Sequence, residues 1–172
     1  MVQDGARDLA VPPPPGLRLV ALEGEARERA LGILKESFVG IYRWHAKRTL
    51  QHADRVHALL LGEEVVAAAL LHRLAPEVGY VYYIFVGKDH RRKGFAGFLL
   101  DDALAFFRTE GAQVIYAAAE GDNFSSIALF RSRGFREVAR EEPGFREGGL
   151  GAWGLRSKMT LVSGEVLLGR RL

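Results

Sequence analysis

The chain has 172 residues, of which 48% are hydrophobic and 26% charged, with a formal net charge of +3. That length suits one domain of common size with a real core, and the composition excludes a disordered chain. Cysteine is absent, which excludes disulfides, thiolate metal sites and a cysteine acyl-enzyme, and the mild charge by itself argues for no nucleic-acid partner.

Residues 1–16 end in four prolines, Pro12 to Pro15, and read as a flexible tail stiffening into a polyproline spacer. Alternation from Leu17 to Leu22 predicts a first strand, and apolar residues at Ala26, Ala30, Leu31, Ile33, Leu34 and Phe38 predict an amphipathic helix from Glu25 to Phe38. A second helix, about Ile41 to Gln51, carries Tyr42, Trp44, His45 and Leu50. Asp54 to Leu61 and Val65 to Arg73 predict two strands joined by the hairpin signal Gly62-Glu63-Glu64. After a break at Ala75-Pro76-Glu77, Tyr80 to Val86 predicts a buried strand. Gly94 opens a helix with Phe95, Leu99, Ala103 and Phe106 at helical spacing, and Gly111 is placed to end it. Val114 to Ala119 is the next strand; Ile127 and Phe130 mark a helix from Asn123 to Gly134, and Phe135 starts another strand. The Gly-rich stretch from Pro143 to Leu155 predicts a loop, Arg156 to Val162 a last strand, and 164–172 a short tail.

The resulting order, β-α-α-β-β-β-α-β-α-β-β, is mixed α/β with one domain over 17–163. The longest clean apolar run, Val65 to Leu71, is far too short for a bilayer, and Asp4, Arg7 and Asp8 interrupt any signal core. A cytoplasmic protein without membrane contact is expected. His45, His52, His57, His72 and His90 show no paired ligand spacing, so no metal is expected either.

The stretch from Tyr80 to Leu100 carries the chemistry. A strand that runs into the glycine-bearing start of a helix aims several free backbone N–H groups at one point. Together with the positive end of the helix dipole they suit phosphate. Arg91, Arg92 and Lys93 add cationic side chains, Gly94 lets the backbone approach an anion, and Ala96 leaves little bulk on the rim. The plain alternative is a solvated basic turn before an ordinary amphipathic helix.

Arg91-Arg92-Lys93-Gly94-Phe95-Ala96 fits (Gln/Arg)-x-x-Gly-x-(Gly/Ala), the signature of the GNAT superfamily of N-acetyltransferases. Asn123 to Phe135 resembles a second motif of that superfamily, Asn-x-x-Ala-x-x-x-Tyr-x-x-x-Gly-Phe, with Asn123, Gly134 and Phe135 in register. Ser126 stands where Ala is common and Phe130 where Tyr is common. One helix and one strand separate the two motifs, as in the family, and the resemblance covers Leu17 to Val162.

The resemblance implies a mostly antiparallel sheet of about seven strands, splayed between the fourth and fifth, with acetyl-coenzyme A lying in the V. Backbone groups of Phe85 and Val86 would bind the pantetheine like an added strand. Arg91 to Ala96 would hold the pyrophosphate, and Arg131 or Arg133 the 3′-phosphate. Asn123, the only Asn in the chain, is either a plain N-cap or an amide wanted by the pantetheine arm.

The acid–base groups are not where the family keeps them. Phe130 cannot donate a proton, and the two positions where family branches place a basic Glu hold Ala118 and Tyr80. Glu120, His72 and Tyr82 are the remaining candidates for proton transfer, each with a plain reading beside it: surface Glu, packed His, core Tyr. The leading expectation is acetyl transfer to a primary amine, of a small molecule or a peptide, by direct attack in a ternary complex. Tyr42, Trp44, His45 and Tyr80 would meet the acceptor, with Trp153 from the Gly-rich loop. A non-catalytic acyl-coenzyme-A-binding module is the alternative. A nucleic-acid patch over Lys88 to Lys93 ranks last because it lacks interleaved exposed aromatics. A C-terminal edge strand leaves a homodimer open.

Overall fold

Residues 56–60 and 65–71 are almost continuously apolar, and in a computed structural model of the chain both runs are buried throughout, as strands covered on two faces are. The structure describes residues 12–37, 40–138, 159, 161 and 164–172. Seven strands are β1 (Leu17–Ala21), β2 (Arg55–Leu61), β3 (Glu64–Ala75), β4 (Val78–Val86), β5 (Val114–Glu120), β6 (Arg136–Glu137) and β7 (Glu165–Arg171), hydrogen-bonded in the order β1-β2-β3-β4-β5-β7-β6. The chain divides into two compact units, residues 1–71 with 83–105 and residues 72–82 with 106–172, so β3 and β4 run through both.

In the first unit β1, β2 and β3 pair antiparallel, from Leu17↔Leu61 to Ala21↔His57 and from Arg55↔Leu71 to Leu61↔Glu64. The hairpin turn is two residues, Gly62-Glu63, with Gly62 at φ 59°, the left-handed backbone such a tight hairpin needs. Glu63 then meets Arg18 and Arg29 at 3.2 Å each. The helix expected from Glu25 is two pieces, a 3-10 helix over Gly24–Ala30 and α1 over Leu31–Ser37; Phe38 lies outside the described residues. A three-residue turn stacks Gly24, Arg27 and Ala30 along one edge. From that edge Arg27 reaches the carbonyls of Leu22 (3.3 Å), Leu50 (3.3 Å) and Gln51 (3.1 Å). The last two belong to the final turn of α2 (Gly40–His52), whose orphan acceptors are satisfied this way.

Helix α3 (Phe95–Thr109) begins in the first unit and ends in the second. It stops at Gly111 (φ 81°), whose N–H donates to Arg108 O (3.1 Å) while Ala112 N–H donates to Phe107 O (2.9 Å). Helix α4 (Phe124–Ser132) stops by the same device. Gly134 (φ 78°) donates to Arg131 O (3.0 Å) and Phe135 to Phe130 O (3.2 Å). The two rings stack edge-on at 5.1 Å, the apolar contact that accompanies a Schellman stop.

In the second unit β4 runs parallel to β5 over four pairs, Val78↔Val114 to Val81↔Ala117, and β5 pairs antiparallel with all of β7. Leu74, Ala75, Val78, Tyr80, Tyr116 and Met159 form its core. Two glycines make room for rings. A Cβ on Gly79 would sit 2.6 Å from the Phe107 ring, and one on Gly169 would sit 2.9 Å from Tyr116 and 2.7 Å from Val138.

The sequence reading needs correction at the C-terminal end. Residues 164–172, expected to be a tail, carry β7, because Val166, Leu167 and Leu168 complete the β5 ladder opposite Ala119, Ala118 and Ala117. Met159, inside the strand expected at Arg156 to Val162, is helical; most of that strand and the loop from Pro143 to Leu155, with Trp153, lie outside the described residues. No helix among the described residues is long and apolar enough to cross a membrane.

Candidate active site

Lys88–His90 form one 3-10 turn directly after β4, and Gly87 N–H donates to Val66 O at 2.9 Å, pinning the strand end to β3. Arg91, Arg92, Lys93 and Gly94 follow, all exposed. Arg92 (φ 61°) and Gly94 (φ 83°) both hold left-handed backbone, a conformation that Gly tolerates and Arg adopts at a cost. The alternation turns the loop sharply into α3, whose first intrahelical bond runs from Phe98 N–H to Gly94 O at 3.0 Å. The N–H groups of Phe95, Ala96 and Gly97 therefore precede any intrahelical acceptor, as in every helix start. Phe95 is half-buried and stacks on His90 at 6.3 Å. Arg91 folds back, its Nε donating to Val86 O at 3.2 Å. Four cations, Lys88, Arg91, Arg92 and Lys93, stand against one acid, Asp89. The arrangement is a cationic, backbone-donor cradle suited to a diphosphate.

On the same unit, α2 presents His45 to β4. His45 Nδ1 lies 3.1 Å from Tyr83 Oη, with the rings at 78° to one another. Burial, and then the Arg48 guanidinium one turn along, hold the imidazole below its ordinary 6.5. Trp44 is 61% exposed and Arg48 stacks over it at 5.7 Å. Tyr42 is half-buried. In the same unit, His57 on β2 is only 4% exposed and its Nδ1 lies 2.5 Å from Asp102 Oδ2 on α3.

The second unit brings together two of the proposed proton carriers. The His72 and Tyr82 rings lie 5.7 Å apart, and Tyr82 meets Tyr80 edge-on at 5.1 Å. Tyr80 is 2% exposed and its hydroxyl donates to Met159 O at 3.5 Å, the packing of a core side chain. Glu120 is exposed at the end of β5, opposite Glu165. Asn123 caps α4, its Oδ1 accepting from Ser126 N–H at 3.1 Å. Phe130 is buried against Phe135. Arg131 pairs with Glu137, and Arg133 donates to Ser132 Oγ at 2.9 Å. Among the described residues no cluster of His, Asp or Glu could hold a metal ion.

Tyr83, Arg27, Arg48 and the His57–Asp102 pair escape a reading of the sequence. His45 and Tyr83 are 38 positions apart and His57 and Asp102 are 45 apart, so no local spacing links them.

Comparison with known proteins bears directly on this strand–basic loop–helix arrangement. The family model described as "Acetyltransferase (GNAT) family" matches residues 20–135. The chain belongs to the GNAT acetyltransferase family, whose members carry out acetyl transfer. Among solved structures it is similar to the ribosomal-protein-S18-alanine N-acetyltransferase from Escherichia coli (17% identity, 90% of this chain and 93% of that one, TM-score 0.66). It also resembles Ard1 from Thermoplasma volcanium (14% identity, 91% and 98%, TM-score 0.69). A third is a GNAT family acetyltransferase from Elizabethkingia anophelis with acetyl-CoA bound (12% identity, 92% and 100%, TM-score 0.68). At these identities the likeness is one of fold. Comparison with curated proteins returns no match.

Proposed function

We propose that the protein is an acetyl-coenzyme-A-dependent N-acetyltransferase that passes acetyl to a primary amine by direct attack in a ternary complex. The observation that carries this reading is the loop from Arg91 to Ala96, with left-handed Arg92 and Gly94 delivering four exposed residues to the start of α3. The loop and the first N–H groups of α3 take the diphosphate. Arg91 bridges that site to the strand through Val86 O. The pantetheine arm runs back along Val86 and Phe85, meeting strand backbone as an added strand would. A backbone N–H there polarises the thioester carbonyl. The acceptor amine enters beside Tyr42, Trp44 and His45 on α2.

The cosubstrate supplies the acetyl group as a thioester; the chain supplies binding, orientation and proton handling. Two measurements test the reading. Acetyl-coenzyme A at a hundred times its dissociation constant should stabilise the fold by about 2.7 kcal/mol, while 3′-dephospho-coenzyme A isolates the contribution of Arg131 or Arg133. Thiol release with a panel of amines then reports transfer. No stabilisation at millimolar ligand would sink the cofactor site. Stabilisation without thiol release from any amine would favour a binding module, a reading to which the absence of a hydroxyl at Phe130 lends weight.

A further inference from the structure

The proposed reaction must remove a proton from the acceptor ammonium, and the usual positions offer Phe130, Ala118 and Tyr80. We infer that Tyr83 and His45 form the relay that takes this proton, a reading that rests on the acetyl transfer proposed above. Tyr83 lies three residues before Val86 on β4, roughly 10 Å back along the strand. That is the direction in which an arm anchored beyond Val86 would carry its thioester. Tyr83 Oη is 3.1 Å from His45 Nδ1. With the phenol donating to Nδ1, the imidazole keeps its own proton on Nε2, and the phenol oxygen faces the acceptor as a base.

The step balances. The ammonium gives one proton to the Tyr83 oxygen while Tyr83 passes its own to His45 Nδ1, leaving a neutral amine and an imidazolium. The amine lone pair forms the C–N bond and the C–S electron pair leaves on sulfur. The second amine proton neutralises the thiolate. Amide, thiol and one proton, shed by His45 to water, are the products.

The surroundings fit the task. Burial and Arg48 keep His45 neutral where an aliphatic amine is still cationic, which is what a base for an ammonium requires. Arg48 faces the ring from its own helix and Tyr83 from β4. On α1, packed against α2, the titratable Lys35 and Glu36 are exposed. Arg27 holds the last turn of α2, and Thr49 Oγ1 donates to His45 O at 2.9 Å, so the ring is placed by the fold.

The test joins ring titration by NMR to pH profiles of wild type, Tyr83→Phe and His45→Gln, with acetyl-coenzyme A and three amines. These are an alanyl peptide, a blocked lysine peptide and an arylalkylamine. For the lysine peptide, whose amine has a pKa of about 10.4, wild-type log kcat/KM should be flat from about pH 7 to about pH 9. Both variants should fall about a hundredfold at pH 7 and climb with unit slope across the same window, because they must wait for free amine. A purely structural role would lower the whole curve without tilting it, and that result overturns the relay alone. So does a His45 ring that titrates at or above 6.5 in the wild type. Failure of wild type to bind acetyl-coenzyme A or to acetylate any of the three amines removes the acetyl-transfer reading, and the relay with it.

Discussion

Replacing Gly94 with Ala separates the cost of the loop's shape from its use. Gly94 holds φ at 83°, and a Cβ built there has no heavy atom within 4 Å, so in the free protein the penalty is conformational alone. A left-handed L-residue costs about 1–2 kcal/mol. The stiffer unfolded chain returns about 0.4–1 kcal/mol. A net loss of about 1 kcal/mol lowers Tm by roughly 2–4 °C for a chain of this size. The methyl group, however, would crowd a diphosphate held at this loop as proposed above, since only open space surrounds it in the free protein. At a hundred times the wild-type Kd, acetyl-coenzyme A should raise the wild-type Tm by roughly 5–11 °C. If the methyl weakens binding a hundredfold, the same concentration leaves about 0.4 kcal/mol, a shift of roughly 1–2 °C. Fluorimetric melting with and without ligand reads both effects. A Gly94→Ala protein that keeps the full ligand shift would refute the placing of the diphosphate at this loop.

Gly79→Ala should destabilise by about 1–3 kcal/mol, because its methyl meets the Phe107 ring 2.6 Å away; a urea midpoint unchanged from wild type would contradict the packing. Asp102→Ala removes a partner of buried His57 and should cost about 1–3 kcal/mol, read as a lower urea midpoint at constant slope. Asn123→Asp keeps the oxygen that accepts from Ser126 N–H but loses the amide donor. We expect an unchanged Tm and weaker coenzyme binding by calorimetry; unchanged binding would reduce Asn123 to its cap. For His45 the folded pKa lies below the unfolded value of 6.5, so between those two values the unfolded chain binds more protons. Stability should therefore rise with pH across that window and level off above 6.5, and the rise should be smaller in His45→Gln, as Tm from pH 5 to 7.5 will show.

The order of elements and the strand–turn–helix arrangement around Arg91 to Ala96 were legible because they rest on local signals. Hydrophobic periodicity, the glycines at 94, 111 and 134, and a run of cations all act within a few residues of where they are written. The split of the first helix was not legible, since Arg27 turns inward only because the end of α2 offers it carbonyls. Strand β7 was misread as tail because Arg170 and Arg171 suggested solvent, whereas Arg170 donates to Arg133 O at 2.6 Å. The His45–Tyr83 pair combines a helix and a strand that sequence periodicity describes separately; pairing them requires the tertiary fold.

Arg27 has a mechanical side. By gripping the carbonyls of Leu50 and Gln51 it anchors the C-terminal end of α2. Trp44 and Tyr42 sit about 9–12 Å from that anchor along the axis. On the proposed reading, acceptors of differing bulk would enter at that far end. Exchanges there would then change which acceptor fits while the Arg27 anchor stays as it is.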